Sequence, residues 1–249
     1  MDLSIDDWRE LSDRLEGPLP ELRARMYPNG NGSWCIHHPL CVQPFIDPDR
    51  CALWNRQFLE VKKGVERAAA DGDWDGYVFW HCRGYRFDAF KRIARRLGFV
   101  DYWKLLCRVW IDSENIHQHY ADWVRMWNAC HPEKHRVMDD EEQAALARLP
   151  KTINVWRGIG ERGGPGLSWT LNRNRAMWFA YRAVDNKPRL LHGKVLRRNV
   201  HALLLGRNED EIVAEKVKVL RTESLSPRED WGDLKSTATS KSLKDENGR

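Results

Sequence analysis

The chain has 249 residues, 42% hydrophobic and 31% charged, a balance that allows a sizeable core and excludes a disordered or collagen-like chain. Its mean hydropathy is −0.67, and no apolar run approaches the roughly 20 residues a membrane helix needs. The net charge of +5 is unevenly placed: residues 1–150 carry −3 and residues 151–249 carry +8.

Within 151–208, 12 Lys and Arg face only Glu161 and Asp185. Such an excess suits an anionic partner, either a phosphate-bearing cofactor or a nucleic acid. The start, Met1-Asp2-Leu3-Ser4-Ile5-Asp6-Asp7, is acidic and has no signal-peptide core, so a cytoplasmic protein with no membrane partner is expected. Six cysteines, Cys35, Cys41, Cys51, Cys82, Cys107 and Cys130, then read as reduced thiols. The spacing of Cys35, His37, His38, Cys41 and Cys51 matches no standard zinc finger, so packed thiols and turn histidines are expected there rather than a metal.

Ile5, Trp8, Leu11 and Leu15 repeat at helical spacing after Ser4, and Gly17-Pro18 ends that segment. Residues 27–50, rich in Pro, Gly and Asn, read as a long irregular connection. Helical periodicity returns over Leu53–Ala70 and breaks at Asp71-Gly72-Asp73. From Arg86 to Leu97 an apolar face of Phe87, Phe90, Ile93 and Ala94 opposes a basic one, with Gly98 as the expected C-terminal cap. A basic amphipathic helix can lie along phosphates, but a plain surface helix fits the same pattern.

Helices are expected over Tyr102–Ile111 and Ile116–Ala129, with Asp112-Ser113-Glu114 capping the second, and a short one over Asp139–Leu149 before Pro150. Six of the 13 tryptophans fall between Trp74 and Trp127, mostly at core spacing.

The pattern then changes to period 2. Strands are expected at Ile153–Arg157, Leu167–Leu171, Gly193–Leu196, Val200–Leu205 and Glu211–Leu220, with one helix over Asn172–Val184. Beyond Leu225 the chain is polar and reads as a disordered tail, residues 226–249. The sequence therefore describes an α+β protein: a helical, Trp-rich region over 1–150, a strand-rich region over 151–225, and the tail.

Chemistry concentrates in the strand-rich region. Arg157 leaves the end of an apolar strand, on the face of Ile153 and Val155, where its guanidinium can fork onto a pyrophosphate. Ser168 and Thr170 share one face of a strand beside a glycine-rich loop. With period 2, Glu209 and Glu211 project to the same side, and two such carboxylates discourage each other's ionisation. Gly158-Ile159-Gly160-Glu161-Arg162-Gly163 matches the dinucleotide fingerprint literally. However, the fingerprint needs a helix to begin there, and Gly164-Pro165-Gly166 and a strand follow, so the segment reads as a flexible loop.

In the order Val155-Trp156-Arg157-Gly158, Gly166-Leu167-Ser168-Trp169-Thr170, Ala176-Met177-Trp178-Phe179-Ala180 and Glu209-Asp210-Glu211-Ile212-Val213, these segments resemble the arginine–serine–glutamate class of mono-ADP-ribosyltransferases. More particularly, the run is similar to transferase-like proteins of phages and bacterial mobile elements. The resemblance covers roughly residues 150–222 and departs from the family at Ser168-Trp169-Thr170, where Ser-Thr-Ser is usual.

The resemblance implies a split β-sheet core with NAD+ bound in its cleft as co-substrate. Arg157 would hold the NAD+ phosphates, Gly158 would face the nicotinamide amide, and Thr170 would line the same site. Ser168 would orient Glu211, Glu211 would stabilise the cationic sugar, and Glu209 would position or deprotonate the acceptor. The pair Glu209 and Glu211 implies a protein arginine as acceptor, whereas the cationic stretch favours a nucleic acid. NAD+ hydrolysis, or binding of NAD+ or nucleic acid without catalysis, are the other readings. A toxin, a phage effector or a defence protein would fit, with an antitoxin or regulatory partner to match.

Overall fold

In the computed structural model, residues 17–29, 33–47, 51–114, 116–182, 187–206 and 209–226 are described. The helix expected over Ser4–Leu15 and most of the expected tail, residues 227–249, lie outside them. The chain is a mixed α/β protein with two antiparallel sheets, and it divides into two compact units, Met1–Ile116 and His117–Arg249. Residues 117–150, grouped by their helical pattern with the N-terminal region, are thus part of the unit that contains the later strands.

Among the described residues the N-terminal unit opens with a short helix, α1 (Pro20–Arg23), then three strands, β1 (Met26–Pro28), β2 (Trp34–His38) and β3 (Cys41–Ile46), paired in the order β1-β2-β3. This corrects the expected irregular connection over 27–50. The prolines that suggested a loop, Pro28 and Pro44, sit in the two edge strands, where a missing N–H costs no ladder bond.

The long helix α2 (Ala52–Asp71) follows and ends as expected, with Gly72 in the left-handed conformation at φ 70°. Leu19, Leu22, Ile36, Cys41, Ile46, Phe58 and Leu59 form one buried cluster of α1, the sheet and α2. Fully buried Asn55 in α2 accepts from the Leu19 N–H and donates to the Gly17 carbonyl, each at 2.9 Å, which ties the segment before α1 to α2.

Three helices complete this unit: α3 (Trp74–Phe79), α4 (Arg86–Ile93) and α5 (Phe99–Asp112). Phe87, Phe90 and Ile93 of α4 are buried, as their spacing required. Gly98 is not the C-cap of α4. A 3₁₀ turn over Ala94–Arg96 intervenes, and Gly98, extended at φ −62° and ψ 156°, opens α5. Nor does Asp112-Ser113-Glu114 cap the next helix. Asp112 takes the Arg86 guanidinium at 2.8 Å and Glu114 takes Arg83 at 2.6 Å, so the two acids clasp the first residue of α4 and the turn before it.

The C-terminal unit begins with a 3₁₀ turn and α6 (Tyr120–Trp127), in place of one continuous helix over Ile116–Ala129. Helix α7 (Asp140–Arg148) starts at a complete capping box between Asp139 and Glu142. Then come β4 (Thr152–Ile159), β5 (Ser168–Thr170), α8 (Arg173–Tyr181), β6 (Arg189–Leu196), β7 (Val200–Leu204), β8 (Glu211–Ala214) and β9 (Lys218–Ser224). The sheet order is β7-β8-β5-β4-β6-β9, all antiparallel.

The expected single strand Glu211–Leu220 is therefore two strands, β8 and β9, in opposite halves of the sheet. The period-2 pattern runs through both, but pairing with β5 and β7 on one side and β6 on the other separates them. The two halves, β7-β8-β5 and β4-β6-β9, join through the single register pair Trp156↔Thr170.

Ile153, Val155, Trp169, Leu191, Val195, Leu203 and Ile212 form the core of this unit, and Ala145 and Leu146 of α7, with Leu149 just after it, pack against it. On β4, α8 lies so close that a Cβ on Gly158 would stand 1.9 Å from the Ala176 carbonyl oxygen.

Candidate active site

The seam between the two half-sheets is also where the polar groups gather. Antiparallel pairing sets Thr170 directly opposite Glu211, so the two side chains emerge on one face, and Ser168, two residues along β5, shares it. Ser168 Oγ donates to Glu211 Oε1 at 2.5 Å. Glu211 is only 7% exposed, and a hydroxyl donor at that distance is the short, charge-assisted bond that a buried carboxylate requires.

Thr170 Oγ1 donates to the Glu209 carbonyl at 2.5 Å and accepts from the Asn172 N–H at 3.0 Å. The hydroxyl therefore fixes the approach to β8 as well as the start of α8. Between the two glutamates Asp210 is left-handed at φ 44°, an uncommon state for a residue with a Cβ. That backbone corrects the simple alternation expected of Glu209 and Glu211. Strand β8 starts only at Glu211, and Glu209, in the irregular stretch just before it, lines the same cavity. The Arg175 guanidinium of α8 lies 3.6 Å from Glu209 Oε1.

Arg157 enters from β4. Ile153 and Val155 on its strand are buried in the core, and Arg157 is half-buried; it does not leave the strand end as expected, because pairing with β6 carries β4 on to Ile159. Its Nη1 donates to the Ser168 carbonyl at 2.6 Å, Nε to the Gly164 carbonyl at 3.2 Å, and Nη2 meets His117 Nε2 at 3.3 Å. Burial pulls the guanidinium below its ordinary pKa, while the negative charge of Glu211, and then Tyr120, oppose the shift. Burial, then the charge of Arg157, lowers His117, which agrees with a neutral ring whose Nε2 accepts.

These groups line one cavity of about 190 Å³, bounded by Trp156, Arg157, Gly158, Ser168, Thr170 and Ala176, with Phe179, Glu209 and Glu211 completing it. All the site residues named from the sequence therefore reach a single pocket. His117, Tyr120 and Arg175 were not among them. Arg175 lies just past the Asn172 cap, a position that reads as ordinary helix surface, and His117 lies 40 residues before Arg157 with no pattern linking the two.

The loop between β4 and β5 carries no helix start, so the dinucleotide fingerprint is rightly set aside. The loop is held rather than loose: Arg189 Nη2 donates to the carbonyls of Gly160, Glu161 and Gly163 at 3.0, 2.6 and 3.0 Å, and Lys187 pairs with Glu161. This changes the meaning of the basic stretch. Arg157, Arg173, Arg175, Lys187, Arg189 and Arg197 all serve carbonyls or carboxylates of the fold itself, so only part of the cationic excess is available to a partner.

Chemically, the site offers a buried carboxylate with a fixed hydroxyl donor, a second carboxylate at the mouth, and a guanidinium at one edge. Aromatic walls from Trp156 and Phe179 flank glycine at Gly158. Comparison with protein-family models, with curated proteins and with solved structures found no match for this chain.

Proposed function

We propose that the C-terminal unit is a mono-ADP-ribosyltransferase that moves ADP-ribose from NAD+ to a macromolecular acceptor, a protein arginine or a nucleic acid. One observation carries the reading: Arg157, Ser168 and Glu211, 11 and 43 residues apart in the chain, meet at one cavity with the Ser168 hydroxyl on the Glu211 carboxylate. The two half-sheets joined at Trp156↔Thr170 support a split-sheet core of the kind the sequence resemblance implies.

The cavity of about 190 Å³ is smaller than the roughly 300–1,000 Å³ of whole small-molecule sites, so it suits one end of a dinucleotide. Aromatic walls and glycine fit the nicotinamide ribose, with the phosphates toward Arg157. Three of the five N–H donors of Arg157 are engaged, which leaves one on each terminal nitrogen for a phosphate.

In this reaction the bond between nicotinamide nitrogen and ribose C1′ breaks, and its electron pair leaves with neutral nicotinamide. Positive charge builds on the ribose, where the preplaced Glu211 carboxylate interacts more strongly than in the ground state. The acceptor then bonds to C1′ and passes its proton to Glu209. An enzyme of this kind would serve a toxin, a phage effector or a defence protein.

The test is incubation of the purified protein with cell macromolecules and NAD+ labelled in its adenylate part, followed by protease or nuclease digestion of the products. Label that enters macromolecules and is lost in Glu211→Gln supports the reading. Nicotinamide release with no labelled macromolecule would leave hydrolysis as the reaction. Intact NAD+ throughout would refute both.

A further inference from the structure

A second polar cavity, of about 240 Å³, lies at the far end of β8 from Glu211 and is lined by Asn128, Lys134, Arg198, His201, Glu215 and Lys216, among others. We infer that this cavity is a phosphate site that holds a backbone phosphate of a nucleic-acid strand, the acceptor in the reaction proposed above. The inference therefore rests on that reading for its role, but not for its chemistry.

Three cations from three separate elements converge here. Lys134 comes from the 3₁₀ turn Lys134–Val137, Arg198 from the turn Arg197–Asn199 between β6 and β7, and Lys216 from the loop after β8. Glu215 is the one carboxylate in the lining, and the Asn128 amide already donates to it at 2.9 Å. Among the described residues neither Arg198 nor Lys216 has an ion pair, although half the cations of the 151–208 stretch are committed to the fold.

The Lys134 ammonium is fixed rather than mobile. Its Nζ donates to the Trp127 carbonyl at 2.5 Å and to His201 Nδ1 at 2.7 Å, and the His201 ring stacks on Trp127 with centroids 5.9 Å apart. Accepting at Nδ1 requires a neutral His201, consistent with a pKa lowered to about 4, first by burial and then by Lys134 and Lys216. Burial also brings Lys134 down to about 8, so the lysine stays mostly protonated at neutral pH while gaining from any anion that enters. A backbone phosphate carries one negative charge shared by two non-bridging oxygens that diverge from a tetrahedral phosphorus, so cations from separate elements can reach it from different sides.

Position argues for the acceptor. Glu211 opens β8, while Glu215 and Lys216 follow its last residue, so the two cavities are separated by one short strand, roughly 13 Å at about 3.3 Å per residue. A strand of nucleic acid anchored by one phosphate here can present a neighbouring group toward Glu209.

The experiment uses the full chain and its double variant Arg198→Ala/Lys216→Ala, both exposed positions whose loss leaves the fold intact. Binding of a short fluorescein-labelled single-stranded oligonucleotide is followed by anisotropy across a salt series, with inorganic phosphate as competitor. Each lost phosphate contact makes the slope of log K against log salt shallower by about 0.7, and the cavity holds one phosphate, so the double variant should lose roughly 0.7. Cleavage of NAD+ without acceptor should be unchanged in the variant. Oligonucleotide binding equal to wild type in affinity and slope would overturn the inference, and labelled protein in place of labelled nucleic acid would then identify the acceptor as protein. Absence of NAD+ cleavage in wild type would instead remove the transferase reading, while the anisotropy series still decides the phosphate site.

Discussion

The Ser168 hydroxyl donates to Glu211 Oε1 at 2.5 Å across 43 residues of sequence, because β5 and β8 pair with Thr170 opposite Glu211. The bond holds one carboxylate oxygen at a fixed angle and leaves the other oriented by that constraint. A hydrogen bond to a charged group is worth about 1.5–3 kcal/mol, so Ser168→Ala should lower kcat for NAD+ cleavage by roughly 10- to 150-fold. Circular dichroism should stay near wild type, and Tm should fall by only several degrees, since the change removes one hydrogen bond to a buried carboxylate. A variant with unchanged kcat would remove Ser168 from the mechanism.

Glu209 and Glu211 reach the cavity by different routes, one from irregular chain before β8 and one from the strand itself, and should separate kinetically. Glu211→Gln should abolish NAD+ cleavage in all forms. Glu209→Gln should retain slow cleavage to free ADP-ribose but lose transfer by about 10²–10⁴, the usual contribution of a general base. The ratio of labelled acceptor to released nicotinamide reads this directly, and equal loss of both activities in Glu209→Gln would contradict the assignment.

Gly158 and Gly164 lie six positions apart but differ in surroundings. A methyl at Gly158 would meet the Ala176 carbonyl at 1.9 Å and the Ala180 nitrogen at 2.4 Å, both backbone atoms of α8, whereas a methyl at Gly164 meets nothing within 4 Å. Gly158→Ala should therefore destabilise by about 1–3 kcal/mol or more through overpacking, and Gly164→Ala should be close to neutral. Urea unfolding of the two variants side by side provides the comparison.

His201 makes stability depend on pH. Its pKa is about 4 in the folded chain, against 6.5 when exposed, from burial, then Lys134, then Lys216. Between those values the unfolded chain binds more protons, so stability is full above pH 6.5 and falls as pH drops toward 4. Thermal unfolding across that range should show the loss. His201→Gln, which cannot be protonated, should flatten the histidine's part of the curve; an unchanged slope would mean that the loss has another source.

Much of the site was legible because it is written in short local segments. Arg157 following an apolar alternation, Ser168 and Thr170 on alternate positions, and the acids before Ile212 can be read without knowing the fold, and all of them line the cavity, although β4 runs on to Ile159 instead of ending at Arg157. The partners that set their state were not legible. His117 touches Arg157 and Arg175 approaches Glu209 through space alone, and no residue pattern encodes either contact.

Local physics determined which segments became helices. The Asp139–Glu142 capping box, the left-handed Gly72 and the apolar face of α4 each act within one or two turns, and each formed as its sequence required. Edge position, pairing and charge use were decided only by the tertiary structure. Pro28 and Pro44 became strand residues because their strands lie at sheet edges, and one alternating run became β8 and β9 because different neighbours paired with its halves. The uneven net charge noted in the sequence is likewise divided by folding: Arg189 and Arg197 hold backbone carbonyls, while Arg198 turns to a cavity with Lys134 and Lys216. A count of charges fixes the field a chain carries, but only long-range contacts decide which charges remain for a partner.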